Sequence, residues 1–202
     1  MKNILLLFSF LILTSSCAKD TYEKEILNHQ YKQNLKFQDK STSPLTEEGL
    51  KEFEALNFYT IDEKFRVVAT LTKTPDALVF GMPTTTSRKP LYKKYGILTF
   101  TIDNKEHQLN LYQSQDFNRE PTYRDYLFLP FTDTTSGQES YAGGRFLDVL
   151  TTDEKEGTIV IDFNKVYNPY CAYSGRYSCP ITPKENHLNV AIRAGVKAYD
   201  KH

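Results

Sequence analysis

Apolar and polar residues alternate in short runs along most of the chain, but the first forty residues follow a different rhythm. Ile4 to Leu13 is apolar except for Ser9 and follows Lys2. Further on, Tyr22, Ile26, Leu27, Tyr31 and Leu35 recur at helical spacing, which predicts an amphipathic helix with His29 solvated on its polar side. Ser43-Pro44-Leu45-Thr46-Glu47-Glu48 is a helix-start signal, because acids in a first turn meet the positive end of the helix dipole. A second short helix should run to about Ala55 and bury Leu50 and Phe53.

Beyond Asn57 the period shortens to two. Phe65, Val67, Ala69 and Leu71 alternate as a half-exposed strand does, and Leu78 to Met82 is expected as its partner across Thr74-Pro75-Asp76. Gly96–Ile102 and His107–Gln113 form the clearest hairpin. Leu98, Phe100 and Ile102 face Leu109, Leu111 and Gln113 around Asp103-Asn104-Lys105-Glu106, with His107 at a sheet edge. Tyr126–Phe131, Arg145–Leu150, Thr158–Phe163 and Leu188–Ile192 supply further strands. This pattern predicts a mainly β (α+β) fold, an antiparallel sandwich or partial barrel with two short N-terminal helices. Residues 43–200 form a single β-rich domain in this reading, and residues 17–42 a tether and helix.

Two polar, aromatic blocks interrupt the strands. One runs from Leu129 to Asp148; the other runs from Asp162 to Tyr173 and continues to Cys179-Pro180 and Glu185-Asn186. Polar groups at this density imply either a site or a cross-bonded knot, since each costs stability if buried without a partner. The blocks, with Ser43-Pro44-Leu45, Phe65-Arg66-Val67, Tyr95-Gly96 and the uninterrupted Asn168-Pro169-Tyr170-Cys171-Ala172-Tyr173, resemble the bacterial and archaeal domain of unknown function 1684 family. The resemblance spans about Ser43 to Lys197. That family's pattern places an acid after an Ala-Gly near its end, whereas here Ala194-Gly195 is followed by Val196. The resemblance implies a fold and no activity.

The apolar run at the amino terminus is shorter than the roughly 20 residues a membrane-spanning helix needs, but suits a signal peptide. Thr14-Ser15-Ser16-Cys17 resembles a relaxed lipobox, with Thr14 where Leu is usual. Residues 1–16 are therefore expected to be a lipoprotein signal peptide and Cys17 the lipidation site. The mature chain would be anchored in the cell envelope, on the periplasmic or outer-membrane side. Of the three cysteines, lipidation of Cys17 leaves Cys171 and Cys179 as an even pair, expected to be a disulfide in an oxidising compartment. Its loop of about nine residues would contribute roughly 2–3 kcal/mol. The competing reading, a free Cys171 nucleophile, has no histidine nearby in sequence to support it.

Charge narrows the partners. Lys and Arg total 25 against 25 Asp and Glu, with no basic stripe, so the footprint of a nucleic-acid binder is missing. Ten of the 14 Tyr lie between Tyr92 and Tyr177, suited to a β core with hydroxyls at its rim or to a groove for sugars or peptides. Thr84 to Lys89 sets hydroxyls beside two cations, but lacks the glycines that wrap a phosphate and reads as a solvated loop.

Candidate chemistry rests on Asp133, Glu139, Asp148, Asp162 and Glu185, on Arg145 as their cation, and on Asn164, Tyr167, Asn168, Tyr170 and Asn186. There is no Gly-x-Ser-x-Gly, His-Glu-x-x-His, Walker loop or Cys-x-x-Cys, and no cofactor or metal is predicted; Asp133–Glu139 matches no EF-hand pattern. Three functions fit. The first is a module binding a small polar ligand, a glycan or a peptide fragment near Arg145, Tyr167, Asn168 and Tyr170. The second is a hydrolase pairing carboxylates such as Glu139 and Asp162, or arranging Ser136 and His187 with an Asp. The third is a structural or interaction lipoprotein.

Overall fold

The computed structural model describes residues 2–116, 120 and 122–199, and side chains from Lys19 onward. The Cys17 side chain, on which the lipidation reading rests, lies outside the described residues. Helix α1 (Lys2–Gln38) and the short α2 (Glu47–Lys51) precede eight strands. These are β1 (Arg66–Lys73), β2 (Val79–Gly81), β3 (Leu91–Ile102), β4 (Lys105–Ser114), β5 (Tyr126–Asp133), β6 (Arg145–Leu150), β7 (Thr158–Asp162) and β8 (His187–Leu188). The sheet runs in the order β6-β5-β4-β3-β1-β7 and curls into a half-barrel. All its pairings are antiparallel except β5 with β8. The fold is mainly β, as the alternation predicts. Among the described residues no helix is long and apolar enough to cross a membrane.

Local chemistry explains the longest ladder. Asp103 and Asn104 both take positive φ and close a two-residue turn, so Ile102 faces Lys105. The turn is two residues shorter than the sequence suggests, and the register brings Leu98 opposite Leu109 and Phe100 opposite His107. A bulge lies between Lys94 and Gly96, where any Cβ on Gly96 would stand 2.6 Å from Leu71 Cδ1 and 2.8 Å from the Thr72 carbonyl. Inside the curl, Val67, Ala69, Leu71, Leu98, Phe100, Leu109, Leu111, Leu129, Phe131, Ile161 and Phe163 form one continuous core.

Three expectations fail for nonlocal reasons. β2 does not pair with β1, whose two edges are already taken by β3 and β7; it pairs with the part of β3 that projects past the end of β1, Val79 facing Lys93. The last strand shrinks to two residues, because the carbonyls of Ile192, Ala194 and Val196 turn inward to a buried arginine instead of a neighbouring strand. Helix α1 also buries a different face. Tyr22, Ile26 and Phe37 go inward with His29 and Gln33 half-buried between them, leaving Leu27 50% and Tyr31 61% exposed. Polar contacts fix this face: Tyr22 donates to Asp162 at 3.0 Å, Lys165 pairs with Glu25 at 2.6 Å, and Asn34 accepts from the Leu56 amide at 2.8 Å. A satellite cluster of Phe37, Leu45, Leu56, Ala172, Tyr173 and Val196 joins the end of α1 to the second polar block.

Candidate functional site

The first block begins with an ion pair sealed in the core. Arg145 Nη2 lies 2.6 Å from Asp133 Oδ2, with Arg145 1% and Asp133 2% exposed. The same guanidinium donates to the carbonyls of Ile192 at 2.7 Å, Ala194 at 2.6 Å and Val196 at 3.2 Å. Asp133 Oδ1 accepts from the Thr135 amide and hydroxyl. Burial draws the Arg145 pKa down, and the Asp133 charge opposes that fall. Arg145 therefore closes the fold and does not offer a cation to a ligand. The reason is geometric: strand alternation points it into the curl, where the C-terminal segment covers it.

Other candidates are also committed internally. Asp162 accepts from Tyr22 Oη, the Asn164 amide and Asn164 Nδ2, while Asn164 exchanges bonds with the Asp62 backbone in both directions. This clamp ties α1 and the segment before β1 to the end of β7. Asn186 is wholly buried, bonded both ways to the Asn110 backbone and donating to the Pro130 carbonyl. Glu139 forms a forked pair with Arg193 that holds its carboxyl below the usual range. Glu139 is committed to Arg193 and Asp162 to Tyr22 and Asn164, so these two carboxylates do not pair with each other; Asp162 shares a cleft with Asp148 instead. The triad is not formed either: Ser136 Oγ accepts from the Asp133 amide, and His187 Nδ1 contacts Thr132 Oγ1. Glu185 sits exposed on a 3-10 turn.

What remains converges. Asp148, Tyr167, Asn168 and Tyr170 line one cleft of about 670 Å³, whose walls are β6, the second block and the face of α1 carrying His29, Lys32 and Lys36. Reciprocal backbone bonds of 2.9 Å between Phe146 and Tyr167 join the two blocks here. Tyr167 Oη donates to Asp148 Oδ1 at 2.8 Å, and Asn168 Nδ2 donates to the Lys197 carbonyl at 2.8 Å. Asn168 Oδ1 is buried without a partner. The Tyr170 and Tyr177 rings meet tilted at 57° with centres 5.1 Å apart, and Lys36 Nζ lies 5.2 Å from the Tyr170 ring centre. Lys32 and Lys36 are in no ion pair among the described residues.

The helical wall was read only in part by sequence reasoning, which set His29 in solvent. The overlooked part of the signal is His29, Gln33 and Phe37, which continue at helical spacing the row that Tyr22 and Ile26 begin. Burial beside Lys165 pulls the His29 pKa down, leaving the ring neutral at pH 7.

Asp148 is open to solvent at its surface but enclosed by the cleft walls. That enclosure raises its pKa, against the lowering pull of the Tyr167 hydroxyl and Lys36. A carboxyl whose folded pKa is raised holds its proton longer in the native state, so its ionisation disfavours folding. Stability should fall as pH rises from the ordinary Asp value of about 3.9 through the raised one. Melting temperatures measured across that window should decline more in the native chain than in Asp148→Asn; equal slopes would show that Asp148 does not carry the effect.

Residues 51–197 match a family model described as a protein of unknown function, DUF1684. The chain is also similar to an uncharacterized protein of Haloarcula marismortui solved by solution NMR, with 30% identity and a TM-score of 0.69 over 92% of this chain and 98% of that one. No curated protein matches the chain.

Proposed function

We propose, for a chain that belongs to the DUF1684 family of proteins of unknown function, a lipid-anchored binding module of the cell envelope. Its cleft takes a small polar ligand, a glycan or peptide fragment carrying an apolar or ring face. One observation carries this reading: the tyrosine-walled cleft combines aromatic surface with two kinds of polar group, the Asp148–Tyr167 pair and the lysines of α1. Aromatic faces beside a few fixed hydrogen-bonding groups suit ring-shaped polar ligands, and Tyr170 under Lys36 is a ready stacking platform.

The membrane enters this reading through the N-terminal order of Lys2, an apolar run and Thr14-Ser15-Ser16-Cys17. The disulfide expected of an exported chain is not formed in the structure, where Cys171 and Cys179 are both free thiols. A thermal-shift screen against sugars, short peptides and carboxylates, followed by calorimetry, tests the cleft. Tyr170→Ala and Asp148→Asn should each weaken a hit about tenfold, the loss of one good contact. A hit that binds both variants as tightly as the native chain places its site elsewhere. Mass spectrometry of the membrane fraction should find an acylated Cys17 and no membrane retention in Cys17→Ala.

A further inference from the structure

Cys171 and Cys179 are both free thiols, and they lie together. The Cys171 amide donates to Cys179 Sγ at 3.1 Å. Tyr141 Oη donates to Cys171 Sγ at 3.8 Å. Their surroundings differ. Cys171 is half-buried on the 3-10 turn Tyr170–Ala172, whereas Cys179 is buried. Cys179 is also fixed by its backbone: its carbonyl accepts from the Thr85 amide at 2.9 Å, and its amide donates to Thr85 Oγ1 at 3.2 Å.

We propose that this pair is a thiol–disulfide exchange site for a low-molecular-weight disulfide, with Cys171 the attacking sulfur and Cys179 the resolving one. Exchange requires an accessible thiolate and a second thiol held within reach of the mixed disulfide. Cys171 meets the first condition. The donors aimed at its sulfur, the Cys179 thiol first and Tyr141 after it, favour the anion and draw its pKa to about 7. Cys179 meets the second, since it is buried and its Sγ is held 3.1 Å from the Cys171 amide. The half-burial of Cys171 beneath Tyr141 favours a small donor over a protein one.

The steps balance. The Cys171 thiolate bonds to one sulfur of R–S–S–R and expels RS⁻. Cys179 then gives its proton to solvent, bonds to the Cys171 sulfur and expels the second RS⁻. Two protein thiols are oxidised and one external disulfide is reduced to two thiols. None of this depends on the cleft binding a ligand.

The test uses the full chain, reduced and desalted, with oxidised glutathione as the disulfide. Cleavage after Arg176 puts the two cysteines on separate peptides. Iodoacetamide at pH 7 should alkylate Cys171 at least about tenfold faster than Cys179, as a lowered thiol pKa and greater access require. With oxidised glutathione the native chain should lose two hydrogens and yield a linked Cys171–Cys179 peptide pair. Cys179→Ser should stop with one glutathione on Cys171. Equal alkylation rates in the native chain, or glutathione reaching Cys179 in Cys171→Ser as fast as it reaches Cys171 in Cys179→Ser, would overturn the proposal. The alkylation comparison needs no substituted chain, so a misfolded variant cannot mask the answer.

Discussion

Replacing Arg145 with Met is expected to cost about 3–5 kcal/mol, because it leaves Asp133 charged in the core with its counter-ion gone. The three carbonyls of Ile192, Ala194 and Val196 lose the same donor at once, and each unsatisfied buried group adds about 1–3 kcal/mol where water cannot reach it. A domain with about 5–15 kcal/mol to lose would stand at the edge of unfolding. Urea unfolding followed by far-UV circular dichroism gives the loss directly. Adding Asp133→Leu to Arg145→Met should recover part of it, since an apolar pair in place of a buried ion pair is often neutral. An Arg145→Met chain with an unchanged midpoint would show that the ion pair does not hold the half-barrel closed.

The second large effect is expected at Gly195, the residue between two of the carbonyls that Arg145 holds. Its φ of +71° lies in the left-handed region. An added Cβ would collide with Val166 Cγ2 and stand 2.7 Å from the Phe163 carbonyl. Gly195→Ala therefore combines backbone strain of roughly 1–3 kcal/mol with a collision against packed backbone, for a total of about 3 kcal/mol or more. The Gly195 carbonyl also accepts from the Tyr59 amide at 2.9 Å, so any shift that relieves the clash breaks a bond elsewhere. Thermal denaturation of Gly195→Ala beside Gly175→Ala makes the control, because nothing stands within 4 Å of the Cβ position at Gly175. Equal melting temperatures would mean that the C-terminal segment tolerates movement that this packing denies it.

Local signals explain what the sequence revealed. The β3–β4 hairpin was legible because alternation and Asp103-Asn104 act within a few residues. β1 was legible because burial on one side imposes a period of two, with Val67, Ala69 and Leu71 going inward. The partner of β2 was not, since it depends on which edge the rest of the sheet leaves open. The same limit governs the site. Asp148, Tyr167, Asn168 and Tyr170 were recognisable as a cluster, but whether a cation faces a ligand or three backbone carbonyls is decided by a segment some fifty residues away, as at Arg145. Asp162 is held in the same long-range way, its partner Tyr22 lying 140 residues earlier. The helical wall was read only in part: Tyr22 and Ile26 were on the predicted face, but the polar contacts of Glu25 and Asn34, which turn His29, Gln33 and Phe37 inward instead of Leu27, Tyr31 and Leu35, join residues far apart in the chain.

The dependence of Arg145 on Ile192, Ala194 and Val196 has a consequence for truncated chains. Strands β1 to β7 can pair first, but the guanidinium they enclose stays unmatched along one side until Ile192, Ala194 and Val196 arrive. A chain cut anywhere before Val196 should therefore keep its strands yet leave the half-barrel unclosed, a form that proteases attack far more readily than the finished one.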